Sequence, residues 1–239
     1  VITGNTSSVC AMYIAQTLLV LPVITGNIIM SSDVTSFYPN LAIRNKWAPA
    51  HLPQDEFCDL YEWFFEERKK IPKKDPKNYV YKIILNSTYG LSNDENSFLY
   101  DPEFTMRITI NGQLSLSMLY EMICEEIPGA IPLMQNTDGL ETMIPRQHVD
   151  KYMEICRRWE KLTNLQLEHD KYSKIILGDV NNYIAITEDG KSKCKGRFEF
   201  ANLAMHKNKS FLVIPKAIHA YFVDGIKPED YIKSITNCF

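Results

Sequence analysis

Residues 132–143, PLMQNTDGLETM, constrain the fold more than any other stretch of the chain. Apolar residues flank a four-residue tip, Asn136-Thr137-Asp138-Gly139. Asp-Gly beside an apolar run is a strong hairpin signal, because glycine accepts positive φ and aspartate tolerates it. Two antiparallel strands meet here. Turn chemistry by itself already accounts for Asp138. The tip acquires a second meaning only if another acid of the chain is brought to it.

The remaining strand and helix signals suit a sheet with helices. Residues 27–33 read as a buried strand ending at Asp33. From Pro53 to Lys70 the pattern is helical, with Phe57, Leu60, Tyr61, Phe64 and Phe65 on one side. KKIPKKDPK then breaks it, and Asp75-Pro76 starts a second helix, Asp75 as N-cap and Pro76 at the first helical position. That helix runs to Gly90 as its stop, which makes an antiparallel helical hairpin with a basic turn. Further helices are expected over 112–127 and 147–163, the second with Val149, Tyr152, Met153, Cys156 and Trp159 on one stripe. Strands are expected at about 173–187 and 193–200, turning at Asp189-Gly190, and Pro228 opens a last helix. The class is α+β, an antiparallel sheet with helices on one face.

Composition sets outer bounds. The chain has 239 residues, 45% of them hydrophobic and 23% charged, enough for one or two domains with a real core. Six cysteines without a C-x-x-C pair and five histidines without ligand spacing argue against structural zinc and suit a reducing, cytoplasmic setting. Net charge is −3, but residues 55–67 carry six acids and no base, while 68–82 carry seven bases against Asp75. A second basic stretch holds Lys191, Lys193, Lys195 and Arg197. The first charge is Asp33, and the lead 9–30 is long enough to consider a membrane span. Gln16, Pro22, Gly26 and Asn27 inside it favour buried strands instead. VITGN occurs at 1–5 and again at 23–27, with no physical account.

The helix from Asp75 carries unusual chemistry. Lys82, Asn86 and Tyr89 share one face at i, i+4, i+7. An ammonium, an amide and a phenol in line suit a phosphate, a base or sugar edge, and a stacking plane.

Taken together, DVTSFYPN (33–40), KIILNSTYG (82–90) and NTDG (136–139) closely resemble motifs A, B and C of the B-family DNA polymerases, in that chain order. The patterns are D-x-x-S-L-Y-P, K-x-x-x-N-S-x-Y-G and D-T-D-S; the second is matched at every fixed position, the first with Phe37 for Leu, the third at Thr137 and Asp138. NTDG with DVNNYIAI downstream looks most like polymerases of tailed bacteriophages.

The resemblance implies a palm with a short two-helix fingers hairpin: 1–52 palm, 53–90 fingers, 91–205 palm, and 206–239 the start of a thumb. It implies primer-template DNA and deoxynucleoside triphosphates as partners and two Mg²⁺ ions as cofactor, Mn²⁺ being an alternative. Asp33, Asp138 and the Val34 carbonyl would hold the metals, which want few hard oxygen ligands. Tyr38 would be the steric gate beneath the sugar, flanked by Ser36 and Phe37. Lys82 and Arg68 would hold the triphosphate; Asn86 and Tyr89 would line the nascent base pair; Gly90 would let the template approach. The family's second fingers lysine is Pro72 here, leaving Lys73 as a substitute. The first motif C acid is Asn136. The primer-gripping K-x-Y is Asn181-Asn182-Tyr183, so Tyr183 stands alone and Lys193, Lys195 and Arg197 would supply phosphate contacts.

The chain's length implies a fragment without an exonuclease domain or a full thumb. The gaps from Tyr38 to Lys82 and from Gly90 to Asn136 leave no room for the insertions of the protein-primed branch. The rival reading is a catalytically weak or inactive DNA-binding palm, with Asn136 the sign of decay; the intact pair of acids argues against it.

Overall fold

The computed structural model describes residues 19–22, 26–201, 203 and 209–236. Among them, seven strands form one antiparallel sheet: β1 (Leu19–Pro22), β2 (Asn27–Val34), β3 (Ile131–Gln135), β4 (Gly139–Pro145), β5 (Leu167–Asp179), β6 (Asn182–Thr187) and β7 (Ser192–Cys194). The order is β3-β4-β2-β5-β6-β7, with β2 paired to the first half of β5 and β1 to the second. The helices are α1 (Phe37–Asn45), α2 (Gln54–Lys70), α3 (Pro76–Leu91), α4 (Pro102–Glu126), α5 (Val149–Thr163), α6 (Val213–His219) and α7 (Pro228–Thr236). This is the expected α+β architecture. Residues 1–18 and 23–25, which hold most of the uncharged lead and of the two VITGN copies, lie outside the described residues. Among the described residues no helix is long and apolar enough to cross a membrane.

Successive strand residues point to opposite faces, and β2 shows what that does. Ile28, Met30 and Val34 enter the large core with Leu41, Leu116, Tyr152 and Trp159, whereas Ile29 joins Tyr172, Ile175 and Tyr183 on the other face. Helices α1, α4 and α5 thus cover one face, each buried Leu or Ile contributing about 1.5–3 kcal/mol. Asp33 belongs with the odd residues and projects from the face away from those helices.

The hairpin, α2 and α3 fall where the sequence puts them. Asp75 caps α3 by accepting from the Lys77 N–H at 2.8 Å. Several expectations need correction. α1 goes unread in the sequence, and α4 starts at Pro102 rather than 112, capped by Asp101. Gly90 does not stop α3, which continues to Leu91. Leu60 is 56% exposed, so the buried stripe of α2 is Cys58, Tyr61 and Phe65. The strand expected over 173–187 is two strands, folded back at 180–181, where Asp179 accepts from the Asn181 N–H (3.0 Å) and the Asn182 amide (2.7 Å). Beyond the Asp189-Gly190 turn, β7 spans only three residues, and a 3₁₀ turn follows at Gly196–Phe198.

The α2–α3 hairpin leaves and rejoins the rest of the molecule at one place. The Ala50 N–H donates to Asp101 Oδ2 at 2.7 Å, and His51 Nε2 lies 2.8 Å from the Phe98 carbonyl.

Candidate active site

The β2–β4 ladder sets Asp33 opposite Gly139, which brings the end of motif A to the hairpin tip. The Val34 N–H donates to the Asp138 carbonyl at 2.6 Å, locking the two segments together. Gly139 has no positive φ, so turn conformation is not why it is glycine. A Cβ there would run into Asp33 Oδ1 and stand 2.8 Å from the Ser32 carbonyl oxygen. The residue is glycine because the two strands touch.

Asn136 has a clear task. Its Oδ1 accepts from the N–H groups of Asp138 (3.0 Å) and Gly139 (2.6 Å), an Asx-type turn that shapes the tip. The side chain of Asn136 is committed to the backbone that presents Asp138.

A cleft of about 1370 Å³ opens over these residues. Motif A lines it from Asp33 to Pro39, the tip adds Asn136, Thr137 and Asp138, and α3 adds Lys82, Asn86 and Tyr89 from the predicted face. Arg68, Tyr183 and Lys195 complete the predicted set. Gly90, Lys193 and Arg197 do not line the cleft. Arg197 stands 3.6 Å from Asp179 and over the Phe198 ring instead. Tyr38 packs on Tyr89, ring centres 4.5 Å apart, and the Tyr89 hydroxyl is 3.0 Å from that of Thr109.

Arg68 reaches from α2 to motif A, donating from Nη1 to the Ser36 hydroxyl at 2.9 Å. Asn78 holds this arginine's surroundings: it accepts from Arg68 Nε (3.3 Å) and donates to the Ile71 carbonyl (2.8 Å). Lys73, in the turn, meets Glu168 at 3.3 Å. Asn78 went unread because its value lies in partners ten residues back.

Electrostatics mark the same spot. Burial raises the Asp33 carboxyl above its ordinary range, Lys193 opposing the shift and Asp138 adding to it. Glu141, almost fully buried on β4, is pushed up to about 7, first by burial and then by Asp33. A carboxylate within the otherwise buried strand GLETMIP was a visible signal that the sequence reading left unused.

No family model matches the chain. DNA polymerase 1 of Saccharolobus solfataricus is 32% identical over 118 residues, 48% of this chain. DNA polymerase 1 of Sulfolobus acidocaldarius is 31% identical over 117 residues, again 48% of the chain. Over that half of its length the chain is a relative of these archaeal DNA polymerases. Its match spans 13% of the length of either archaeal polymerase. Both of these polymerases are archaeal, so the bacteriophage likeness is not carried by them. The structure of the family B DNA polymerase from Pyrobaculum calidifontis superposes with a TM-score of 0.49 at 17% identity, over 74% of this chain and 28% of that one.

The donor set for a metal is spare. Among the described residues no cluster of three or more histidine, cysteine or acidic side chains could hold an ion by protein ligands alone. Two carboxylates at an open cleft fit Mg²⁺, which keeps several positions for water and phosphate. Burial first, and Asp138 beside it, raise Asp33 in spite of the nearby Lys193.

Proposed function

We propose that the chain is the palm and fingers of a template-directed DNA polymerase, adding deoxynucleoside triphosphates to a primer 3′ end on template DNA. The observation that carries this reading is the meeting of Asp33 and Asp138 across from Lys82, Asn86 and Tyr89 in one cleft. The described parts of 1–52 and 91–205 would make up the palm, 53–90 the fingers, and the described part of 206–239 would lead toward a thumb.

Asp33, Asp138 and the Val34 carbonyl would hold two Mg²⁺ ions, which supply Lewis-acid stabilisation of the attacking and leaving oxygens. The chain's own residues do the rest. Lys82 is exposed to the cleft and offers its ammonium to a triphosphate. Arg68 is delivered to the same end by Ser36 and Asn78. Tyr38, buttressed by Tyr89, closes the space a ribose 2′-hydroxyl would need. Asn86 and Tyr89 face the incoming base, and Tyr183 and Lys195 border the cleft on the β6–β7 side, where primer phosphate would pass.

The test is primer extension with Mg²⁺ and deoxynucleotides. Asp33→Asn and Asp138→Asn should each lower the rate at least about a hundredfold while leaving the fold intact, since an amide cannot replace a carboxylate's charge on the metal. Near-normal extension by either variant would sink the assignment; a wild-type chain that binds duplex without extending it would favour the inactive palm.

A further inference from the structure

Lys193, on β7, stands beside Asp33 and Asp170. Its Nζ lies 3.2 Å from Asp170 Oδ2, 3.2 Å from the Tyr172 hydroxyl and 3.9 Å from Asp33 Oδ2. It also sits 5.9 Å from the centre of the Tyr172 ring. The side chain is 35% exposed, so this ammonium is held inside the acidic site and not offered freely to solvent. Glu141 adds a further acid: it pairs with Ser31, two steps along the β2–β4 ladder from the Asp33–Gly139 pair. One of its oxygens accepts from Ser31 at 3.3 Å, and the other has no hydrogen-bond partner among the described residues.

The cluster is thus rich in acids, and the cation nearest Asp33 is a side chain in contact distance of the carboxylate that would bind metal. An ammonium and a divalent ion cannot both occupy the negative side of Asp33 without strong repulsion. We propose that Lys193 is the resident counter-cation of the metal site, a positioning residue that holds Asp33 and Asp170 together when no divalent ion is bound and yields when one arrives. This rests on Asp33 and Asp138 being metal ligands.

The consequence is a change in metal affinity that needs no DNA, nucleotide or turnover. Binding of Mn²⁺ to the whole chain is measured from the spectrum of free Mn²⁺ by electron paramagnetic resonance. Lys193→Met, which keeps the stem and loses the charge, should bind Mn²⁺ roughly tenfold more tightly than wild type. Lys193→Arg and Lys191→Met, the latter paired with Asp189 outside the site, should bind as wild type does. Unchanged or weaker binding by Lys193→Met, or an equal gain in Lys191→Met, would overturn the proposal.

A second measurement uses the unaltered chain, so a folding defect cannot blunt the test. Acylation of Lys193 by an amine-reactive acetate ester, read by mass spectrometry against Lys191, should rise several-fold when Mn²⁺ is added, because the displaced ammonium loses its acidic partners. No rise, with Mn²⁺ bound, would overturn the counter-cation alone. A wild-type chain that binds no Mn²⁺ would overturn the metal reading as well.

Discussion

The contact between β2 and β4 leaves room for no more than a hydrogen at Gly139. Gly139→Ala introduces a methyl against Asp33 Oδ1 and the Ser32 carbonyl; the backbone oxygen cannot give way, so the Asp33 carboxylate must move. The overpacking should cost about 1–3 kcal/mol, and extension should fall far more than thermal stability does, since the displaced group is Asp33 itself. Melting temperature and extension rate measured together check this. Tyr38→Ala should remain active and admit ribonucleotides, because the ring is held at the cleft by Tyr89 and is not buried in the core. Unchanged sugar discrimination in an active variant would dismiss the gate. At this scale the motifs exposed the cleft-lining side chains well, because their chemistry is local and ordered along the chain. What stayed hidden depends on partners distant in sequence: the contact of Gly139 with β2 and the Lys193 ammonium at Asp33 and Asp170.

Elements were legible where a cap or a breaker punctuates them. Asp75-Pro76 locates α3, and Asp101-Pro102 carries the same signal for α4, whose first ten residues lack a clean apolar stripe and so escaped notice. The break between β5 and β6 was missed because its turn uses Asp179, Asn181 and Asn182 rather than glycine. The two Asp-Pro caps are not equal in consequence. Asp75 accepts one N–H of its own helix, whereas Asp101 accepts from Phe104 at 3.0 Å and also from Ala50. Removing a cap costs about 0.5–2 kcal/mol. Asp101→Ala should therefore fall at or above the top of that range and Asp75→Ala near its middle, as read from denaturant midpoints.

For the molecule as a whole, the buried Glu141 predicts a dependence of stability on pH. Its ordinary value is 4.5 and its folded value about 7. Below the lower value it is neutral in both states and has no effect. As pH rises between the two, the unfolded chain releases the proton while the folded chain retains it, so stability falls, and above about 7 the loss is complete. The full effect is on the order of 3 kcal/mol. Glu141→Gln, in buffer free of divalent ions, should melt several degrees above wild type at pH 8 and close to it at pH 5; an equal gain at both would trace the effect to packing. The doorway formed by Ala50, His51, Phe98 and Asp101 bears on the same scale. The chain enters and leaves the α2–α3 hairpin at adjacent points, so the connection itself does not tie the sheet to this particular pair of helices. Another helical pair of matched span could be spliced between those residues without rerouting the sheet. Tyr61, Phe65 and Leu85 set the condition, since they belong to the main core. A graft must bring its own apolar patch to that spot, and a plain deletion would leave a hole there.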